Sequence, residues 1–115
     1  MKTVKSFNVQ IWVGLRSSYS DTVYTIADVE RIVDFYIIHI ADCITITPTE
    51  FRYVNGSEPG VIVGWINYPR FPRTEVDIID RALSLAKRLK EGLNQERVSI
   101  VAPEFTYMLE DGDSK

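Results

Sequence analysis

Apolar and polar residues alternate along the start of the chain with the two-residue period of a strand that is buried on one face. The apolar positions all carry odd numbers: Phe7, Val9, Ile11, Val13 and Leu15. Two lysines precede them, as in a signal peptide, but the apolar region of a signal peptide is continuous and this one is interrupted at every second residue. We therefore predict a strand over about residues 4–15 and no export signal.

The next pattern along the chain has the period of a helix, about 3.6 residues. Its apolar members follow Thr25 at spacings typical of one helix face: Val29, Ile32, Val33, Tyr36, Ile37, Ile40, Cys43 and Ile44. Thr25 is a favourable N-cap, and Asp28 stands at the position from which a capping box returns a hydrogen bond to the backbone. A second helix of the same kind is predicted from Thr74 to about Glu91.

Two strand-like runs between these helices predict a hairpin. They cover residues 44–54 and 61–68, and Asn55-Gly56 between them favours a tight turn. In the first run the apolar positions change from even to odd numbers around Pro48. Because such a change moves the apolar side chains to the other face of a strand, we expect a β-bulge at Pro48.

A fourth strand beginning at Val98 completes the order β-α-β-β-α-β. This is the order of the ferredoxin-like sandwich, whose four-stranded antiparallel sheet, in the order 4-1-3-2, carries both helices on one face. Pro48 and Pro103 interrupt the second and fourth strands, and proline is confined to edges and bulges because it cannot donate to a strand ladder. The sequence thus predicts an α+β, ferredoxin-like domain over residues 1–109 and a flexible acidic tail over residues 110–115.

The composition is that of an ordinary globular domain and argues against several kinds of site. Of 115 residues, 45% are hydrophobic and 25% are charged, so one domain can bury a core without disulfides or metals. One cysteine, Cys43, and one histidine, His39, exclude an internal disulfide and disfavour a structural zinc site. The net charge of −3 disfavours a nucleic-acid groove, and no apolar run approaches the length of a membrane span. We predict a cytoplasmic protein without a cofactor or a metal.

Apolar residues outside the predicted core indicate that the protein associates with itself. Both helices cover one face of the sheet, and the other face carries Trp12 on the first strand and Ile62 and Ile66 on the third. A contiguous apolar patch of a few hundred square ångströms usually marks an interface, so we expect a twofold homodimer. Phe35 and Ile38 lie away from the core stripe of the first helix and form a second candidate docking surface, although isolated exposed apolar residues also occur without a role.

The segment before the second helix is the best candidate for binding a small anionic ligand. Prolines stiffen this segment, and its two arginines approach a helix N-terminus, where free N–H groups favour anions. The predicted ligand-binding residues are Tyr68, Arg70, Phe71, Arg73 and Thr74. In the alternative interpretation, Phe71 packs into the core and the two arginines pair with nearby carboxylates.

The chain resembles three known families, two of them in quoted stretches of sequence and one in its size and three single residues. Glu58-Pro-Gly-Val-Ile-Val-Gly-Trp-Ile-Asn-Tyr-Pro-Arg-Phe-Pro, with Thr106-Tyr-Met-Leu-Glu, resembles small uncharacterised proteins encoded by bacteriophages, which implies an accessory protein made in an infected bacterium. The run Ala41-Asp-Cys-Ile-Thr-Ile, a helix that passes straight into a strand, is similar to trimeric CutA-type proteins. Dimeric haem-degrading monooxygenases have a similar size and use an Asn, a Trp and a His, for which Asn8, Trp65 and His39 are the candidates.

These observations favour a non-enzymatic accessory or binding protein that acts as a homo-oligomer. No G-x-S-x-G, H-E-x-x-H or glycine-rich phosphate loop is present in the sequence. The first alternative is a sensor or sponge that binds a small anionic ligand or nucleotide through residues 68–74. The second is an enzyme of the dimeric α+β-barrel monooxygenase type, with Asn8, Trp65 and His39 around a cavity between helices and sheet.

Overall fold

Two helices pack on one face of a five-stranded antiparallel sheet in the computed structural model, which describes residues 1–113. The elements, in chain order, are β1 (Asn8–Gly14), α1 (Ile26–Ile40), β2 (Thr45–Tyr53), β3 (Gly56–Ile66), α2 (Glu75–Gly92), β4 (Arg97–Val101) and β5 (Thr106–Glu110). The α+β class and the antiparallel sheet with two helices are therefore as predicted from the sequence.

The sheet has one strand more than the sequence predicted. Its order is β2-β3-β1-β4-β5, so the predicted order of the first four strands is present and β5 pairs on the outer side of β4. The backbone N–H of Ala102 donates to the carbonyl of Phe105 at 3.0 Å and closes a tight turn around Pro103. Pro103 thus marks a turn and not an interrupted edge strand, and β4 lies inside the sheet.

The predicted bulge at Pro48 is absent, because β2 pairs with β3 without interruption from Thr45↔Gly64 to Tyr53↔Gly56. Pro48 has no N–H to donate, and β2 is an edge strand, so Pro48 can occupy a position at which the N–H of another residue would point out of the sheet. The change of the apolar positions from even to odd numbers along β2 has another cause. Ile46 faces the helices, whereas Phe51 faces the open side of the sheet, so both faces of β2 carry apolar residues.

Both helices begin where the sequence predicted, at threonine caps. The hydroxyl of Thr25 accepts a hydrogen bond from the backbone N–H of Asp28, and the backbone N–H of Thr25 donates to the Asp28 carboxylate. The hydroxyl of Thr74 caps α2 by accepting from the backbone N–H of Asp77. Helix α1 ends earlier than predicted, at Ile40, because Ala41 adopts a left-handed conformation with φ 34°. The chain then passes into β2 within a few residues.

The core lies between the two helices and the sheet. It contains the inward-facing residues of three strands and two helices, among them Val9, Ile11, Val13, Val29, Val33, Val61, Val63, Ile78, Leu85, Leu89, Val98 and Ile100. On the strands these residues alternate with residues on the open face, as a sheet covered on one side requires.

The flexible tail predicted over residues 110–115 begins inside a strand, because Glu110 belongs to β5. Residues 114 and 115 of this predicted tail lie outside the described range.

Candidate functional site

A cleft of about 330 Å³ lies on the open face of the sheet, at the end of β1 that carries Gly14. It is bounded by β1, by β2 and β3 on one side and by the start of β4 on the other. These elements are distant in the sequence and adjacent in space because β1 is the central strand, paired with β3 on one side and β4 on the other. The open face of the sheet is therefore not uniformly flat.

Two aromatic rings form one wall of this cleft. The ring centroids of Trp12 and Phe51 are 6.4 Å apart and the rings are inclined at 55°, a favourable geometry for an aromatic pair. Phe51 can fold over the sheet because Gly60 below it has no side chain, and a Cβ there would lie 2.2 Å from the phenyl ring. The indole N–H of Trp12 donates to the side-chain oxygen of Gln10 at 3.3 Å, which leaves the face of the ring available.

Two oxygen atoms converge on the floor of the cleft, above Gly14. A Cβ built on Gly14 would lie 2.7 Å from Oε2 of Glu58 and 3.1 Å from Oε1 of Gln95. Within residues 1–113, neither of these oxygens accepts a hydrogen bond, and the Glu58 carboxylate forms no ion pair. Two adjacent acceptors without donors favour a ligand that brings a cation or N–H groups.

The side-chain amide of Gln95 is held in one orientation. Only 7% of the residue is exposed, and its Nε2 donates to the carbonyl oxygens of Arg16, at 2.7 Å, and Leu93, at 3.0 Å. Exchanging the amide nitrogen and oxygen would bring an acceptor against both carbonyls, so the network assigns the orientation. The amide oxygen therefore faces the cleft and is positioned before any ligand arrives.

The charges around the cleft give it a small negative excess. Glu58 and Glu96 contribute two carboxylates, and Arg97 pairs with Glu96 at 2.6 Å. The carboxylate of Glu58 is thus the charge left for a ligand. A carboxylate beside two half-buried aromatic rings suits a cationic ligand that also has a flat ring, because cation–π and stacking interactions act together.

The loop that the sequence predicted to bind an anion lies at the opposite end of β1. Asn8 pairs with Ile66, whereas Gly14 pairs with Gly60, so the two ends are separated by the length of the strand, about 20 Å. In the loop, the rings of Tyr68 and Phe71 pack against each other with centroids 5.3 Å apart and an inclination of 38°.

The polar groups of this loop largely bind to the protein itself. The backbone N–H of Arg73 donates to Oδ1 of Asn67 at 3.0 Å, and its guanidinium contacts the Asp77 carboxylate at 3.5 Å. Thr74 uses its hydroxyl as the cap of α2, and Arg70 is exposed. The Arg73–Asp77 contact agrees with the part of the alternative interpretation in which arginines pair with carboxylates, whereas Phe71 is 41% exposed and does not pack into the core. A role of these residues in ligand binding remains a prediction.

The three residues of the monooxygenase alternative are not brought together. Asn8 lies on the open face of β1, whereas Trp65 points to the helices and donates its indole N–H to Asp42 at 2.8 Å. His39 is exposed on α1, and its Nδ1 contacts the carbonyl oxygen of Phe35 at 2.8 Å. In the part of the chain that the structure describes, no three side chains of the metal-binding types form a cluster.

The residues predicted to mediate association lie on two different surfaces. Trp12, Ile62 and Ile66 share the open face, and Ile66 is 47% exposed. Phe35 and Ile38 lie on the outer surface of α1, with 56% and 78% of their area exposed. The open face and the outer surface of α1 point in opposite directions, so these residues cannot belong to one contact.

Tyr19 and Asp111 connect the loop beside the cleft to the C-terminal strand. The hydroxyl of Tyr19 donates to Oδ2 of Asp111, and Lys90 contacts the other oxygen of that carboxylate at 2.5 Å. The hydrogen bond to Asp111 raises the pKa of Tyr19 from 10.0 to about 12. Ser18, next to Tyr19, lines the cleft and accepts a hydrogen bond from the N–H of Glu96 at 2.9 Å.

We expect Tyr19 to titrate at a higher pH than a tyrosine with the ordinary pKa of 10.0. Its folded-state pKa is raised, so the stabilisation from this bond is complete below about pH 10 and is lost as the pH rises towards about 12. Difference absorbance at 295 nm between the wild type and an Asp111→Asn variant measures this titration. A tyrosine midpoint that stays the same in both proteins would contradict the contact.

Sequence reasoning identified Trp12 but not Glu58 and Gln95 as part of a site. Gly14 and Gly60 are opposite each other on adjacent strands, and this pairing of two small residues beside Glu58 is the signal that could have located the cleft. Gln95 follows α2 in an irregular segment and has no such signal, because its position depends on contacts with Arg16 and Leu93.

Comparisons with known proteins find similarity in structure and not in sequence. No family model and no curated protein matches the chain. A solved structure described as a phage SAM lyase in complex with S-methyl-5′-thioadenosine has a TM-score of 0.75 and 18% sequence identity, covering 96% of this chain and 93% of that chain. A phage SAM lyase in the apo state has a TM-score of 0.74 and 21% identity, covering 95% and 92%.

These neighbours confirm the resemblance to phage proteins and correct the expected class of function. Both are structures of an enzyme, and both match nearly the whole chain, so the prediction of a non-enzymatic accessory protein is wrong. One of them is a complex with a small molecule, which agrees with the broader expectation of a small-molecule ligand. Among the described residues, no helix has the length and apolar character needed to cross a membrane.

Proposed function

We propose that this protein cleaves S-adenosylmethionine (SAM) in the cleft above Gly14 and releases S-methyl-5′-thioadenosine (MTA). The observation that carries the proposal is the Glu58 carboxylate, which has no cation of its own among the described residues and lies beside the Trp12–Phe51 wall. The fold similarity to phage SAM lyase supports it independently. The protein would act in the cytoplasm of an infected bacterium.

The chemical features of SAM match those of the cleft. Its adenine is a flat ring that can stack on Trp12, and its sulfonium group is a cation that Glu58 can attract. Stacking on an aromatic side chain contributes about 1–3 kcal/mol per base, and a cation near an aromatic face contributes about 0.5–2 kcal/mol. Phosphorylated nucleotides suit the cleft less well, because the free carboxylate of Glu58 repels phosphate.

The reaction needs no proton transfer if the substrate supplies its own nucleophile. The carboxylate of the methionyl group forms a bond to Cγ as the Cγ–S⁺ bond breaks, and the electron pair of that bond stays on sulfur. The products are the neutral thioether MTA and homoserine lactone, with atoms and charge balanced. The protein then has to bind SAM in a folded conformation and to exclude water, which a shaped cleft beside two aromatic rings can do.

The experiment that tests the function is incubation of the purified protein with SAM, followed by chromatographic detection of MTA and homoserine lactone. We expect both products in equal amounts, with homoserine appearing as the lactone hydrolyses. If SAM stays intact and isothermal titration detects no binding of SAM or MTA, the proposed function is wrong.

Glu58→Gln separates the effect of the negative charge at this position from the effect of the shape of the side chain. We expect the KM for SAM to rise about tenfold, equivalent to about 1.4 kcal/mol, because the amide keeps the hydrogen-bonding oxygen and loses the charge. The affinity for MTA should change less, since the thioether is neutral. Glu96→Gln is the matched control, because Glu96 already pairs with Arg97. Equal effects of both changes on SAM would contradict the assignment of Glu58.

We further propose that the open face associates with a second copy of the chain, most simply as a twofold dimer. Ile66 and Met108 are 47% and 49% exposed on this face, and the end that carries Ile66 is far from the cleft. Light scattering should give a multiple of the 13.2 kDa chain mass for the wild type and a smaller mass for Ile66→Glu. Val76→Glu, at an exposed apolar position on α2, is the control. A 13.2 kDa wild type would contradict the association.

A further inference from the structure

We propose that Gln95 makes the cleft selective for a purine with an exocyclic amino group, so that adenine nucleosides bind and hypoxanthine nucleosides do not. This inference rests on the proposed function and adds the group that recognises the base. It is carried by one side chain, which is more than nine-tenths buried and presents an acceptor oxygen to the cleft.

The amide of Gln95 cannot adapt to the ligand. Its Nε2 is committed to the carbonyl oxygens of Arg16 and Leu93, so Oε1 stays an acceptor whichever base arrives. A freely rotating glutamine could offer either its nitrogen or its oxygen and would not discriminate. The fixed amide can accept a hydrogen bond from a ligand and cannot donate one.

The spacing along β1 places a stacked base next to this oxygen. Trp12 and Gly14 are two residues apart on the same face, a distance of about 7 Å. That is close to the length of a purine, so a base stacked on the indole of Trp12 extends over Gly14. The oxygen of Gln95 lies 3.1 Å from the point where a side chain of Gly14 would begin, within reach of the edge of the base.

Glu58 and Gln95 then have separate roles. The Glu58 carboxylate carries a full charge and suits the sulfonium, whereas the neutral amide oxygen of Gln95 suits a neutral donor. The amino group of adenine is such a donor. The corresponding atom of hypoxanthine is a carbonyl oxygen, which would face the oxygen of Gln95 with neither atom able to donate.

The test compares binding of MTA with binding of 5′-methylthioinosine, the same thioether with the amino group replaced by oxygen. We expect the wild type to bind MTA about 10- to 100-fold more tightly by isothermal titration. Gln95→Met, which keeps the volume and removes the acceptor, should bring the ratio close to one. Asn94→Ala is the matched control, because that amide binds Tyr24 and not the cleft, and it should keep the wild-type ratio.

The ratio of affinities distinguishes recognition from a purely structural role of Gln95. Loss of the hydrogen bonds to Arg16 and Leu93 would weaken both ligands equally and leave the ratio unchanged. A wild-type ratio near one, or a ratio that Gln95→Met does not alter, overturns this inference while SAM cleavage can still stand. The wild-type comparison decides the matter even if Gln95→Met does not fold. Absence of MTA binding together with intact SAM overturns both proposals.

Discussion

Gly14→Ala should lower the rate of SAM cleavage about 100-fold or more and leave the fold unchanged. The new methyl group would lie 2.7 Å from Oε2 of Glu58 and 3.1 Å from Oε1 of Gln95, so it occupies the place where, under the proposed function, both oxygens would meet the ligand. The carboxylate of Glu58 can swing away, but two hydrogen bonds hold the amide of Gln95 in position. A displacement of about 1 Å in a site can reduce turnover by two orders of magnitude.

The stability of the Gly14→Ala protein should differ from that of the wild type by less than about 1 kcal/mol. Gly14 does not adopt a positive φ, and alanine is more favourable than glycine inside a strand. Gly64→Ala is the matched control, since Gly64 lies on the same open face near Thr45 and away from the cleft. Wild-type activity in Gly14→Ala, or equal losses in both variants, would show that the reaction occurs elsewhere.

Asp42→Ala should cause the largest loss of stability among single substitutions of polar residues. The side chain of Asp42 is 3% exposed, and its carboxylate contacts the guanidinium of Arg81 at 3.4 Å and accepts from the indole N–H of Trp65 at 2.8 Å. Removing this carboxylate leaves the indole N–H of Trp65 without its acceptor, whereas Arg81 keeps Asp77 as a partner at 3.3 Å, and the expected cost is about 3 kcal/mol.

For a chain of this size, that loss corresponds to a melting temperature roughly 10 °C lower, measured by circular dichroism. The Trp65 fluorescence should change as well, since its indole N–H loses its acceptor. Asp80→Ala, at an exposed position of α2, is the control and should change the free energy of unfolding by less than about 0.5 kcal/mol. A small effect of Asp42→Ala would mean that the contacts of its carboxylate with Arg81 and Trp65 contribute little to the free energy of unfolding.

The correction from binding protein to enzyme has a physical reason. Motif searches detect catalysis when protein side chains act as nucleophiles, bases or metal ligands at fixed spacings. If SAM supplies its own nucleophile and leaving group, the protein needs only a shaped and suitably charged cleft. Such a cleft can be built from residues such as Trp12, Glu58 and Gln95 without any local motif.

The sequence by itself determined the order of the first six elements, the two helix starts and the half-buried strands, but not β5. These features depend on local interactions: the hydrogen bonds at Thr25 and Thr74, and the period of apolar residues along each element. The apolar character of the open face, with Trp12 and Ile62, was also readable from alternation alone.

Only the tertiary structure decided the features that depend on pairing between distant segments. The turn at Pro103 makes β5 an edge strand, and the continuous ladder of β2 removes the expected bulge at Pro48. Gly14, Glu58 and Gln95 meet because β1 lies between β3 and the segment that leads into β4. A local sequence pattern shows which face of a strand a residue occupies, but the neighbour across that face is set by strand order and register, which are properties of the whole sheet.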